Sequence, residues 1–304
     1  QMKLAVKIPA TSANLGPGFD TLGMALAHYD EYSVEVTGSK LVIDITGEGE
    51  KDAPRDEENL VFRAIKVVYD SLGKTVPALK LVCQNNIPHG RGMGSSGAAV
   101  AGGVMMAAGL LADEIQLSEQ QLLEFATELE GHPDNVAPAL FGGLTVAWVD
   151  EEGPHHKKLT THRGLSPLVL VPSNQMSTSL ARSLQPQSVP HTDAVFNVSR
   201  SALLVAALTQ SPELLLAATE DRLHQNYRAS AMPETSELIA SLRAKGHPAV
   251  VSGAGPSVLV LEDDPQKRLV AIAHVEKNFP SWHAMPLAVD VKGASLIEQP
   301  GSGS

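Results

Sequence analysis

The run Pro88-His89-Gly90-Arg91-Gly92-Met93-Gly94-Ser95-Ser96-Gly97-Ala98 constrains this chain more than any other. Four glycines fall within residues 90–97, between a strand predicted over 79–84 and an apolar helix predicted over 95–111. Glycine tolerates positive φ and lets backbone approach a ligand closely. A helix start adds unsatisfied N–H groups at the positive end of its dipole, which together make a seat for a phosphate. The dipole alone contributes only about 0.3–1 kcal/mol, so further positive charge must come from Arg91, a lysine elsewhere or a metal ion. The plain alternative is a glycine turn that only reverses the chain. The loop lacks the lysine of a GxxxxGK[ST] motif. Residues 92–97 do satisfy GxGxxG, but the dinucleotide loop directly follows the first strand of its βαβ unit. Here residues 85–89 intervene and a second helix follows the first, so the spacing points to a nucleoside triphosphate.

Charge and composition narrow the partners. Lys plus Arg total 23 against 34 Asp plus Glu, a net charge of −11, which opposes binding that rests on neutralising nucleic-acid phosphates. Apolar residues make up 43% and aromatics 4%, so the core must be large and mostly aliphatic. The longest apolar run, residues 98–112, falls short of the ~20 residues that span a bilayer and reads as a buried helix. No secretory signal opens the chain, and a cytoplasmic location is expected. The single cysteine, Cys83, excludes an internal disulfide and sits in an apolar run, as a structural thiol would. Gln1 and the Gly301-Ser302-Gly303-Ser304 tail read as expression remnants.

The pattern predicts an α+β protein of two domains, 1–150 and 151–304, divided by the polar stretch 150–164. Strands are expected over 3–8, 32–36, 41–45, 79–84 and 144–149. Asn59 is a candidate N-cap, Ser118 with Gln121 a capping box, and Asp193 a cap for a helix over 194–208. Ser211-Pro212-Glu213 and Pro233-Glu234 each open a helix, the second ending before Gly246. Short strands over 248–252 and 257–261 flank another glycine turn.

Four more segments could carry chemistry. Residues 9–20 (PATSANLGPGFD) read as a loop of small polar residues and glycines after the first strand. Ser252-Gly253-Ala254-Gly255-Pro256-Ser257 is a tight turn on its own and a third wall of a site if it meets the other two loops. Glu130-Gly131-His132-Pro133-Asp134-Asn135 offers a metal carboxylate in Glu130 and substrate contacts in His132 and Asn135. Its alternative is a helix–turn–helix with Asp134 as a cap. Too few ligands at metal spacing surround His132 for a zinc site. Arg182 and Arg228 could each clamp a carboxylate with two parallel bonds, or simply be solvated.

Six segments in this order, PATSANLGPGFD, PHGRGMGSSGA, GHPDNVAPALFGG, STSLAR, DRLHQNYR and SGAGPS, resemble the GHMP kinase superfamily across nearly the whole chain. The likeness is strongest to its branch that phosphorylates L-homoserine. The resemblance implies a two-domain fold, an N-terminal nucleotide-binding α/β domain and a C-terminal α+β domain. It also implies transfer of the ATP γ-phosphoryl group to the side-chain hydroxyl of L-homoserine, a step toward threonine, with Mg²⁺ as cofactor. It places the phosphates on residues 88–98, the metal on Ser96 and Glu130, and the adenine beside Asn59. Homoserine falls to Asn14, Asp20, His132, Asn135, Thr178, Arg182, Arg228 and Gly253, with Asn14, Asn135 and Arg182 nearest the reaction. Glu130 competes with Glu124 and Glu128 for the metal role, because relatives carry more residues before the histidine. Met93 stands where leucine is usual. The resemblance places Asn135 where mevalonate-type relatives carry an aspartate base, and an amide cannot be a general base. The hydroxyl proton then passes to the phosphate itself. The resemblance also allows a homodimer. Two rivals stay open: a GHMP kinase for mevalonate or shikimate, and a non-catalytic sensor built on the same fold.

Overall fold

A computed structural model describes residues 2–298. Gln1 and the 301–304 tail, expected to be expression remnants, lie outside the described residues. The chain builds β1 (Lys3–Ala13), β2 (Leu22–Val36), β3 (Val42–Gly47), α1 (Leu60–Ser71), β4 (Leu79–Asn85), α2 (Ser95–Leu110), α3 (Glu119–Glu130), α4 (Pro133–Phe141), β5 (Leu144–Asp150) and β6 (Gly153–Leu159). It continues through β7 (Ser166–Val171), α5 (Thr178–Ser183), α6 (His191–Thr209), α7 (Leu215–Ala218), α8 (Gln225–Arg228), α9 (Pro233–Ala244), β8 (Ala249–Val251), β9 (Val258–Glu262), α10 (Pro265–Asn278), β10 (His283–Pro286) and β11 (Ser295–Glu298).

The first sheet runs β11-β1-β2-β4-β3, with β5 on β2 and β6 on β5. Strand β2 is long enough to serve two partners: its start pairs with β5 and its end with β4. Strand β1 continues through residues 9–13, which the sequence pattern had suggested were loop. Pro9 has no N–H to offer, and the register shifts between Pro9 and Ala10, so a bulge absorbs the proline and pairing with β2 resumes. That bulge carries Thr11, Ser12 and Ala13 in extended form to the centre of the molecule.

Asn59 caps α1 as expected, its Oδ1 accepting from the amides of Val61 and Phe62. The Ser118–Gln121 capping box on α3 is present. Helix α6 begins earlier than the pattern suggested, at His191, so Asp193 sits within its first turn and is not its cap. Ser211-Pro212-Glu213 opens only a 3₁₀ turn before the four-residue α7.

Helix α2 is apolar on every side because it runs through the middle of the first unit, packed on α1, α3, α4 and β1. Gly103 lets α1 approach so closely that a Cβ there would lie 2.5 Å from the Val61 carbonyl oxygen. Cys83 is buried in the same core, and that burial pushes its thiol up to about 12, as fits a structural cysteine.

The second sheet, β10-β7-β9-β8, is buried on both faces. Val169 and Val171 of β7, with Leu259 and Leu261 of β9, join the core of the first unit. Leu168, Leu170, Val258 and Val260 turn the other way, onto α9 and α10. One apolar core therefore crosses between the halves. The expected boundary at 150/151 falls in the turn of the β5–β6 hairpin, and β11 returns to pair with β1. The polar stretch 150–164 is thus largely an added edge strand, whose outward face accounts for its polarity. Among the described residues no helix is long and apolar enough to cross a membrane.

Replacing Gly103 by alanine should cost about 1–3 kcal/mol through overpacking against α1, despite alanine's better helix propensity. Thermal or urea denaturation reads this directly.

Candidate active site

The three glycine-bearing loops meet. Thr11 donates its amide to the Met93 carbonyl (3.0 Å), and Gly253 donates its amide to that of Ala13 (3.1 Å). The Ser252 hydroxyl donates to the Gly92 carbonyl (2.7 Å) and lies 2.8 Å from the Ser12 hydroxyl. A Cβ at Gly92 would stand 2.1 Å from the Ser252 carbonyl oxygen, and one at Gly94 would stand 2.0 Å from Thr11 Oγ1. Both glycines have positive φ, 73° and 75°, so only glycine fits on two counts.

Beside this seam lies a cleft lined by residues of both halves of the chain. At one end is the start of α2. Gly94 caps it without a side chain, and Ala98 is the first residue whose N–H finds a helical carbonyl, that of Gly94 (2.9 Å). The amides of Ser95, Ser96 and Gly97 are left for a ligand, and all three residues line the cleft. The Ser96 hydroxyl donates to Glu130 Oε2 (2.8 Å). Burial raises the Glu130 carboxyl above its usual range, with the Ser96 bond opposing the shift. Glu124 and Glu128 are exposed on α3, away from the cleft. Among the described residues no group of three or more His, Cys, Asp or Glu could enclose a metal. A hydroxyl and one carboxylate do suit an ion such as Mg²⁺, which completes its shell with water and phosphate oxygens.

The other end is charged. Arg182, on α5, reaches Asp20 Oδ1 (3.3 Å), and Thr178 opens the same helix. Arg228 is only 4% exposed, donates Nη1–H to the Gly253 carbonyl (3.0 Å), and keeps Nε buried without a partner. Burial lowers its pKa, and Asp20 opposes that shift. The Phe19 ring is held between the Arg228 guanidinium (5.5 Å) and the stacked ring of His224 (4.7 Å). His224 is buried, which lowers its pKa. Its Nε2–H donates to the Gly16 carbonyl (2.6 Å), leaving Nδ1 unprotonated.

Asn14 ties the Asp20 loop to the β8–β9 turn at this charged end. Its Nδ2 donates to the Gly253 carbonyl (3.0 Å), and its Oδ1 accepts from the Asp20 amide (2.9 Å). Asn14, Leu15 and Asp20 all have positive φ, strain concentrated in the loop that carries Asp20.

Of the residues expected here, Asn14, Asp20, Gly90, Gly92, Gly94, Ser95, Ser96, Gly97, Glu130, Asn135, Thr178, Arg182, Arg228 and Gly253 line the cleft. Others do not. Asn59 is not part of the lining: its Oδ1 caps α1 and one of its two Nδ2–H groups donates to the Pro54 carbonyl. Arg91 is tied by its guanidinium to the carbonyls of His89, Pro172 and Ser173, so it braces the loop and is not part of the cleft lining. Pro88, His89, Met93 and Ala98 form the frame of the loop, and His132 is the N-cap residue of α4; none of them is part of the lining. The sequence reading missed Phe19 and gave Asp134 only a capping role. Asp134 lines the cleft and is 2% exposed, with its Oδ1 unpartnered. The apolar neighbours Pro133 and Val136 were the available sign that this helix start is buried.

Residues 59–143 match the GHMP kinases N terminal domain, and residues 201–281 match the GHMP kinases C terminal domain. The fold and the cleft are those of a GHMP kinase. The homoserine kinase of Clavibacter michiganensis subsp. michiganensis is 62% identical over 97% of this chain and 94% of its own. That of Leifsonia xyli subsp. xyli is 64% identical over 96% and 91%. The crystal structure of homoserine kinase from Cytophaga hutchinsonii superposes with a TM-score of 0.87 at 26% identity, covering 98% of each chain. The chain belongs to the homoserine kinase family.

Gly92→Ala should weaken ATP binding by about 10–100-fold, because its Cβ forces the seam apart at a strained φ. Gly38→Ala is the control: its φ is also 75°, but open space surrounds it. Equilibrium binding should separate the two while both remain folded.

Proposed function

We infer that this enzyme transfers the γ-phosphoryl group of ATP to the side-chain hydroxyl of L-homoserine, in threonine biosynthesis. One observation carries the reading: a single cleft joins a phosphate-seating helix start to an end bearing both carboxylate and guanidinium groups. Homoserine is a zwitterion with a hydroxyl two carbons beyond its α-carbon. Arg182 and Arg228 suit its carboxylate, Asp20 suits its ammonium, and Asn135, between the two ends, suits its hydroxyl. A mevalonate or shikimate acceptor would leave Asp20 without a cationic partner. The identities of 62% and 64% to homoserine kinases support the same substrate.

In this reading the amides of Ser95, Ser96 and Gly97 orient the phosphates toward the acceptor. Ser96 and Glu130 would hold Mg²⁺, whose charge offsets that of the β- and γ-phosphates when it is bound. Because the transition state spreads charge over the transferring oxygens, positioning and electrostatics do most of the work. Asn135 orients the hydroxyl without removing its proton, which passes to an oxygen of the transferring phosphoryl group as the new O–P bond forms and the bond to ADP breaks. Asn14 acts through Asp20 and Gly253, fixing where the charged end stands. The setting is the cytoplasm, where both substrates are found, and no nucleic-acid or membrane partner is needed.

ADP release against a panel of L-homoserine, threonine, mevalonate and shikimate tests the reading. L-homoserine should exceed the others by about 100-fold or more in kcat/KM. ATP binding without turnover of any of them would point to the sensor. Glu130→Gln and Ser96→Ala should each lower kcat by about 10²-fold, and EDTA should abolish the wild-type rate.

Asn135→Asp separates the two proton routes. A loss of kcat of about 10²-fold across pH 6–9 fits orientation by the amide, whereas a gain would indicate that the reaction wants a base.

A further inference from the structure

Asp134 is the charged group of the cleft that the reading above leaves without a task. It follows His132 and Pro133 at the start of α4, and its side chain is almost wholly enclosed at 2% exposure. Its Oδ1 is buried with no hydrogen-bond donor from the described residues, and no cation among them forms an ion pair with it. An unpaired carboxylate in such a place is costly, and folded proteins rarely retain one without a partner. Its neighbours relieve it only in part: Asp20 carries like charge, and although its own amide, His132 and Arg182 favour the carboxylate, none of them donates a hydrogen bond to Oδ1. Helix capping does not explain it either, because that position belongs to His132.

The missing partner is therefore external, cationic and able to donate hydrogen bonds. Asp134 lines the same cleft as Asp20, Arg182 and Asn135. An ammonium group has three N–H donors, and Asp20 can satisfy only some of them. A phosphate, by contrast, would be repelled by this carboxylate.

We propose that Asp134 is a specificity-determining residue, a second carboxylate that shares with Asp20 the recognition of the substrate's α-ammonium group. This rests on the L-homoserine reading and deepens it. Asp134 then divides the cleft, drawing the amino-acid end of the zwitterion inward and keeping phosphate oxygens at the α2 end. It also supplies discrimination against hydroxy acids that lack an amine, because such a ligand leaves the buried Asp134 carboxylate unpaired.

The test compares L-homoserine with 4-hydroxybutanoate, the same molecule without its amine, in wild type, Asp134→Asn and Asp134→Ser. Wild type should prefer L-homoserine by about 100-fold or more in kcat/KM. Both variants should lose about 10–100-fold in kcat/KM on L-homoserine, mainly through KM. Both should gain on 4-hydroxybutanoate, because the charge left unpaired by that ligand is gone, so that the preference collapses. Equal losses on the two substrates, or a loss confined to kcat, would place Asp134 at the hydroxyl or in the fold and overturn the assignment while leaving the homoserine reading intact. Failure of both variants to fold would likewise assign Asp134 to structure. A wild type inert toward L-homoserine overturns the substrate reading itself, and the assignment with it.

Discussion

The Ser252 hydroxyl holds together segments that the chain separates by 160 and 240 residues, donating to the Gly92 carbonyl and touching the Ser12 hydroxyl. Each bond of this kind is worth only about 0.5–1.5 kcal/mol net. Their importance is geometric. The seam brings the β1 extension, the phosphate loop and the β8–β9 turn to contact distance, and a Cβ at Gly92 would not fit between them. The free amides of α2 therefore face a cleft whose far wall comes from the other half of the molecule. The apolar core that β7 and β9 share with the first unit makes that arrangement rigid.

The net charge of −11 gives no general attraction for ATP or for an anionic product. Attraction is built locally, and with few cations. Arg91 is occupied with backbone carbonyls, which leaves Arg182 and Arg228 as the cationic side chains lining the cleft among the described residues. Both stand at the amino-acid end. The phosphate end relies on backbone amides and on Ser96 with Glu130, a donor set that calls for a divalent ion. On the proposed reading, this separation in space would orient a zwitterion and a triphosphate toward one another without either competing for the other's seat.

How much of this was legible in the sequence depends on how local each signal is. The phosphate loop, the Asn59 and Ser118 caps and helix α2 are written in consecutive residues, and the structure has them where the pattern put them. The segment 9–13 misled because small polar residues and a proline resemble a loop, whereas β2 supplies the pairing that keeps them extended. Within the stretch 150–164 the strand β6 went unseen for the opposite reason: an edge strand can be polar, so it carries no alternation strong enough to see. Strand β11 and the two-faced burial of β7 depend on partners far away in sequence. At the site, residue type suggested Glu130 as the metal carboxylate, but only its contact with Ser96 separates it from Glu124 and Glu128. Asn59 and Arg91 show the converse, polar groups of the right kind that bond to the backbone and stand outside the cleft lining.

The neighbours Asp134 and Asn135 show how one turn of helix can divide a task. Both line the cleft, one a carboxylate and the other an amide. A charge placed at the acceptor hydroxyl would meet the incoming phosphoryl oxygens and raise the cost of bringing the reactants together. The amide avoids that repulsion while keeping a donor and an acceptor for orientation. One position away, repulsion of phosphate and attraction of an ammonium group serve the same end. The strained φ values at Asn14, Leu15 and Asp20 are consistent with this economy, since they hold Asp20 over the cleft before any ligand arrives. Catalysis on such a scaffold draws on groups fixed in advance by folding, and the strength of a single base matters less than where each fixed charge is withheld.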